Sequence, residues 1–154
     1  MGDAVMVVGV GNRLRGDDGV GLHVARLVRE RAADLLVRDL EGEGIGLLDT
    51  WAGARAVLLV DSVRSGAAPG TIHRLEATER PLPARMRTSS STHAVGVAEA
   101  IELARALDRL PSRLVVYGVE GGRFETGAEL SADVAAVVDG LADAVLREAR
   151  GLAR

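Results

Sequence analysis

The hydrophobic positions of the chain fall into short blocks whose spacing alternates between that of strands and that of helices. Residues 4–10, 56–60 and 114–119 are unbroken apolar runs, as expected for strands that are covered on both faces of a sheet. Residues 35–40 form a further short strand. Elsewhere apolar residues recur every three or four positions, which predicts helices. The predicted helices begin near Gly19 and near Ser131 or span residues 44–52 and 93–107.

The segment 71–76 differs from the other strands because polar and apolar residues alternate along it. The connection before it, residues 62–70, is too short for a helical crossover, which needs about a dozen residues. It also contains Ser-Gly and Pro-Gly pairs, which are typical of turns. We therefore predict that residues 71–76 form an antiparallel edge strand, followed by a long loop at residues 77–92. The whole pattern predicts one α/β domain over residues 1–154, a three-layer sandwich with a mostly parallel sheet and helices on both faces.

Composition removes several classes of function. The chain has no cysteine, which excludes disulfides, thiol nucleophiles and thiolate metal sites. Its net charge is −3, its basic residues are scattered and only 2% of its residues are aromatic, so we expect no nucleic-acid partner. No apolar run reaches the ~18 residues of a membrane span, and the N-terminus lacks the pattern of a signal peptide. We expect a cytoplasmic monomer without a membrane partner.

A glycine-rich loop with two adjacent acids follows the first strand: residues 9–21 read GVGNRLRGDDGVG. The dinucleotide fingerprint fails because Leu14 occupies its third glycine position, and a phosphate loop would carry Lys and Ser/Thr where Asp17 and Asp18 stand. Two like charges about 4 Å apart cost about 4 kcal/mol at an effective dielectric near 20. The loop therefore suits a cation rather than a phosphate. The alternative is that one acid simply caps the following helix.

Two other candidates are predicted to reach the same edge of the sheet. Asp61 ends the third strand, where it could also be a turn former, and His93 begins a helix, where it could be plain polar surface. With Asp18 they would supply two oxygens and one imidazole nitrogen, a set that suits a divalent ion with open positions. His23 and His73 are predicted to face solvent. The chain has no HExxH or GxSxG motif, which argues against a zincin or a serine hydrolase.

Five stretches together give the chain a specific resemblance. They are GVGNRLRGDDGVG at 9–21, VLLVDSV at 57–63, APGTIHRL at 68–75, STHAVG at 91–96 and LVVYGVEG at 114–121. In this order the sequence resembles the hydrogenase maturation proteases, endopeptidases that process the large subunit of nickel-iron hydrogenases. The resemblance implies an α/β sandwich around a twisted five-stranded sheet. It also implies that the metal-contacting acids are Asp18 and Asp61 and that the metal-contacting histidine is His93.

The resemblance further implies a reaction and a partner. The partner would be the hydrogenase large-subunit precursor, whose C-terminal extension is removed only after nickel insertion, so the nickel is carried by the substrate. Candidates for substrate recognition are Asn12 and Asp17 in the first loop and Gly42 and Glu43 in EGEGIG at 41–46, where many relatives have a Gly-Thr-containing loop. The sequence does not choose between Asp18, Asp61 and a metal-polarised water for water activation. It also leaves open whether the protein holds a metal at rest.

Two other classes of function remain open at this point. A sensor or chaperone of nickel loading would use the same three residues without cutting the precursor. A small-molecule-binding α/β protein is disfavoured by the broken nucleotide fingerprints.

Overall fold

The protein folds into a five-stranded mixed sheet with helices on both faces, as the sequence predicts. The structure, a computed structural model, describes residues 4–42, 44–87 and 96–154. The sheet order is β2-β1-β3-β5-β4, in which β4 alone is antiparallel to its neighbour. The strands are β1 (Ala4–Val10), β2 (Leu36–Leu40), β3 (Ala54–Val63), β4 (Ile72–Glu76) and β5 (Arg113–Glu120). The helices are α1 (Val20–Arg31), α2 (Leu47–Thr50), α3 (Val97–Ala106) and α4 (Ala132–Ala153), with 3₁₀ turns at Gly16–Gly19, Gly44–Gly46 and Ala84–Arg87.

Each face of the sheet packs against its own pair of helices. On one face Leu58 and Val60 of β3 contact the apolar sides of α1 and α4. On the other face Leu59 packs with Trp51, which follows α2, and with Ile101 of α3. Burial on both faces explains the unbroken apolar runs of the central strands. Each such side chain contributes about 1.5–3 kcal/mol relative to an exposed one. None of the helices in the described part of the chain is long and apolar enough to cross a membrane.

The main departure from the predicted elements concerns the end of the third strand. We expected β3 to end at Asp61, but the strand continues to Val63. The reason is its neighbour: β5 also continues, so Asp61 pairs with Gly118 and Val63 pairs with Glu120. The polar side chains at the end of β3 do not prevent this extension, because the backbone hydrogen bonds to β5, not the length of the apolar run, determine where the strand ends. The predicted helix start at residue 93 lies outside the described residues.

Two glycines allow the first loop and α1 to lie directly against the sheet. Gly11 has φ +150°, and a Cβ there would lie 1.9 Å from the carbonyl oxygen of Asp18. A Cβ on Gly21 would lie 2.2 Å from the carbonyl oxygen of Val60 in β3. No side chain fits at either position. The close approach brings the acidic turn Gly16–Gly19 to the carboxyl ends of β1 and β3.

Candidate active site

Asp18 lies in the 3₁₀ turn that precedes α1 and is fixed from two directions. Its Oδ1 accepts a hydrogen bond from the Ser62 hydroxyl at 3.1 Å, and its Oδ2 accepts one from the Asn12 backbone N–H at 3.0 Å. Only 5% of the residue is exposed. One bond comes from β3 and the other from the first loop. The carboxylate is therefore held where these two elements meet.

Asp61 lies beside this group on β3. Its Oδ1 accepts the backbone N–H of Ser62 at 2.8 Å, so Ser62 donates to both acids. Burial raises the pKa of Asp61 well above its ordinary value of 3.8, and the nearby charge of Asp18 raises it further. By strand alternation Asp61 shares a face with Leu59, which packs toward α3. A proton or a cation would relieve this repulsion between the two carboxylates.

Asp17, predicted as a substrate-recognition residue, has a different position. It is completely buried. Its Oδ2 accepts hydrogen bonds from the N–H groups of Gly122 and Arg123 and from the Ser131 hydroxyl, at 2.8, 2.9 and 2.9 Å. Its Oδ1 accepts the Ser131 N–H at 2.7 Å. Asp17 thus joins the first loop to the segment between β5 and α4, and both of its oxygens accept hydrogen bonds within the protein. Its role in substrate recognition stays a prediction.

These bonds also decide the charge of Asp17. Burial by itself would raise its pKa, but the N–H groups of Gly122, Ser131 and Arg123 together with the Ser131 hydroxyl outweigh it, so the pKa lies below 3.8. The predicted alternative for the acid pair, a cap on the first helix, is also absent. No side chain caps the turn at Gly16–Gly19 or α1.

The other substrate-loop candidates are placed only in part. Asn12 accepts the Leu14 N–H on its Oδ1 at 2.9 Å while its own N–H binds Asp18, so it shapes the first loop. Gly42 has φ +104° in an exposed turn after β2, a conformation that favours glycine. Glu43 and His93 lie outside the described residues. Within residues 4–42, 44–87 and 96–154 no three acidic or histidine side chains form a metal-binding group.

Of the two remaining histidines, His73 does not lie as predicted. His73 was expected to face solvent, but its Nε2 lies 3.1 Å from Oε1 of Glu120, and only 15% of its side chain is exposed. Glu120 is itself buried and accepts hydrogen bonds from the N–H and hydroxyl of Ser65 and from the Gly66 N–H. His23 is half-buried, and burial lowers its pKa, as do the charges of Arg26 and Arg13.

The His73–Glu120 pair is a feature that the sequence interpretation missed. Burial of Glu120 would raise its pKa, but its bonds to Ser65, His73 and Gly66 outweigh this effect and lower it. The register of the antiparallel pair explains the contact, because His73 lies opposite Gly118, and Glu120 lies two positions further along β5 on the same face of the sheet. In the sequence, the one indication of this pair is Gly118, which lies two positions before Glu120 in β5.

The chemical capacity of the site rests on the difference between its acids. Asp17 and Glu120 are surrounded by donors and have lowered pKa values. Asp61 has one backbone donor, a neighbouring like charge and a raised pKa. A carboxylate with a raised pKa is better matched to accepting a proton during a reaction near neutral pH. Among these acids, Asp61 therefore has the acid–base properties that a general base needs.

Comparisons with known proteins agree with this architecture. The family described as hydrogenase maturation protease matches residues 24–148. The chain is 31% identical over 153 residues to the hydrogenase expression/formation protein HupD of Rhodobacter capsulatus, covering 96% of this chain and 72% of that protein. It is 28% identical over 150 residues to the hydrogenase 2 maturation protease of Escherichia coli strain K12, covering 95% and 90%.

A solved structure has the same fold over nearly the whole chain. It is the hydrogenase maturating endopeptidase HybD from E. coli, with a TM-score of 0.77 and 26% identity, covering 96% of this chain and 93% of that one. The enzyme class predicted from the sequence is thereby confirmed as an endopeptidase of hydrogenase maturation. The chain belongs to the hydrogenase maturation protease family.

Proposed function

We propose that this endopeptidase removes the C-terminal extension of a nickel-iron hydrogenase large-subunit precursor once nickel has been inserted. The observation that carries the proposal is the Asp18–Asp61 pair, two carboxylates tied together through Ser62 at the carboxyl ends of β1 and β3. The nickel is part of the substrate. Its positive charge complements the pair, and a precursor without the ion would lack this attraction.

The two acids have different roles in this proposal. Asp18 is held through both oxygens, by Ser62 and by Asn12, which suits a fixed contact to the ion. Asp61 has the raised pKa, so we assign it the proton of the attacking water. His93, which lies outside the described residues, is proposed as the third contact because its imidazole nitrogen complements two oxygens. Positioning the scissile bond beside the ion would itself lower the barrier by several kcal/mol.

The decisive experiment measures the mass of the precursor after incubation with the protein. Nickel-loaded precursor should lose its extension, and nickel-free precursor should be cut at least about 100-fold more slowly if the ion positions the bond. Asp18→Asn and His93→Ala should abolish cleavage of the loaded form. The matched control is Asp49→Asn, because the Asp49 side chain is 94% exposed on α2. Equal cleavage of both precursors would contradict nickel recognition, and binding without cleavage would indicate a sensor.

A further inference from the structure

Arg64, an arginine close to the acid pair, has an aromatic partner but, among the described residues, no acidic one. Arg64 directly follows β3, three residues after Asp61. Its guanidinium carbon lies 3.8 Å from the centroid of the Phe124 ring. Within the described part of the chain it makes no ion pair, in contrast to Arg74 and Arg113, which bind Glu76. Among the described residues, no carboxylate therefore neutralises its charge.

The Phe124 ring, on which the Arg64 guanidinium stacks, is held firmly by its surroundings. Phe124 is 7% exposed. The two residues before it, Gly122 and Arg123, donate their N–H groups to the Asp17 carboxylate. A Cβ on Gly121 would lie 2.5 Å from Cζ of the ring, so only glycine leaves room for it. The bonds of Asp17 thus fix the ring, and the ring in turn orients the guanidinium.

The position of the Arg64 guanidinium over the Phe124 ring allows its N–H groups to bind a ligand. A guanidinium stacked on a ring keeps its N–H donors in its own plane, where they match the two oxygens of a carboxylate. A cavity of about 320 Å³ lies beside it. The cavity is lined by Arg64, Gly66, Ala67, Glu120, Gly121, Gly122 and Phe124. The one acid in the lining, Glu120, is 1% exposed and is occupied by its own donors.

We propose that Arg64, oriented by Phe124, is a specificity-determining residue that binds a carboxylate of the substrate chain near the scissile bond. This inference rests on the proposed function. Three residues of extended chain span at most about 11 Å, so Arg64 lies within that distance of Asp61 along β3. A bound peptide covers the same distance in three or four residues. The carboxylate is that of an Asp or Glu about four residues from the cleaved bond, or the α-carboxylate of a short extension.

The first test is the steady-state kinetics of Arg64→Met on nickel-loaded precursor. We expect KM to rise about 10- to 100-fold, the usual range for loss of a charged hydrogen bond, with kcat within about twofold of wild type. Arg64→Lys keeps the positive charge but lacks the planar guanidinium that binds both oxygens of a carboxylate, so it should raise KM less than Arg64→Met does. Phe124→Leu should raise KM less than Arg64→Met does. Arg147→Met, on the exposed side of α4, is the matched control and should behave as wild type.

The second test identifies the carboxylate. Asp→Asn or Glu→Gln substitutions within five residues of the scissile bond, or three alanines added to the precursor's C-terminus, should raise KM with wild-type enzyme. The substitution that removes the true partner should have no further effect with Arg64→Met. An unchanged KM for Arg64→Met, or additive effects with every precursor variant, would overturn the inference while leaving cleavage by the wild type intact. Failure of the wild type to cleave loaded precursor would instead overturn the proposed function.

Discussion

Asp17 and the Asp18–Asp61 pair lie next to each other and consist of the same kind of side chain, yet their surroundings differ completely. Asp17 accepts four hydrogen bonds from Gly122, Arg123 and Ser131 and has a lowered pKa. Asp61 accepts one from Ser62, faces a second acid and has a raised pKa. A buried carboxylate surrounded by hydrogen-bond donors is stable as an anion and has a structural role. A carboxylate with few donors more readily accepts a proton or a cation. The number of hydrogen-bond donors around each carboxylate therefore distinguishes the structural role of Asp17 from the role proposed for Asp61.

The same difference predicts opposite dependences of stability on pH. For Asp17 the folded-state pKa is lowered, so its contribution is present above the unfolded pKa near 3.9 and is lost as pH falls through the folded value. For Asp61 the folded-state pKa is raised, so the native state prefers the protonated form. Its contribution is most favourable below the unfolded pKa and falls as pH rises through the folded value.

Among the variants that test this comparison, Asp61→Asn should show the largest loss of activity. The amide keeps the shape of the side chain but cannot take a proton from water, and removal of a general base typically costs about 10²- to 10⁴-fold in rate. The measurement is kcat/KM for nickel-loaded precursor, with Asp49→Asn as the control. Retention of more than about a tenth of wild-type activity would contradict the assignment of Asp61 as the base.

The pH dependence of the wild-type enzyme sharpens the same assignment. Protonated Asp61 cannot accept a proton, so kcat/KM should rise with pH and level off above the raised pKa. The midpoint of this rise should lie above the ordinary aspartate value of 3.8. The measurement is a pH profile of initial rates. A midpoint at or below 3.8 would show that the titrating group is not Asp61.

Asp17→Asn should have the largest effect on stability. The amide group would turn an N–H toward donors such as the N–H groups of Gly122 and Ser131, and breaking a buried charged network costs about 2–4 kcal/mol. For a chain of this size the melting temperature should fall by about 5–15 °C in calorimetry. Ser131→Ala removes only the hydroxyl donor and should cost about 1 kcal/mol. Equal stability of Asp17→Asn and wild type would refute the structural role.

The smallest expected effect is an increase in stability, in contrast to the decrease expected for Asp17→Asn. Asp61→Asn should stabilise the fold by about 0.5–2 kcal/mol at neutral pH, because it removes a like charge from beside Asp18 at a functional site. The difference between variant and wild type should disappear below about pH 3, where Asp61 is protonated in both the folded and the unfolded chain. Urea unfolding at several pH values measures it. Destabilisation at neutral pH would show that the charge of Asp61 is compensated in the folded state.

Much of the fold was predictable because it depends on local patterns. The unbroken apolar runs of β1, β3 and β5 correspond to strands buried on both faces, and the alternation in β4 corresponds to an antiparallel edge strand. The end of β3 was not predictable, because pairing with β5 carries the strand past Asp61. His93 stays a prediction, and the meeting of Asp18 with Asp61 follows from their places after β1 and within β3.

By itself the sequence determined the strand and helix pattern, the acidic character of the first loop and its unsuitability for phosphate. Only the tertiary structure decided which of the two neighbouring acids is buried among donors from the segment between β5 and α4. The donors that saturate Asp17 belong to residues 105 to 114 positions away along the chain. The buried partner of His73 lies 47 positions away. Periodicity reports which side chains are buried, but the hydrogen bonds that set the charge of a carboxylate form only when distant segments pack together.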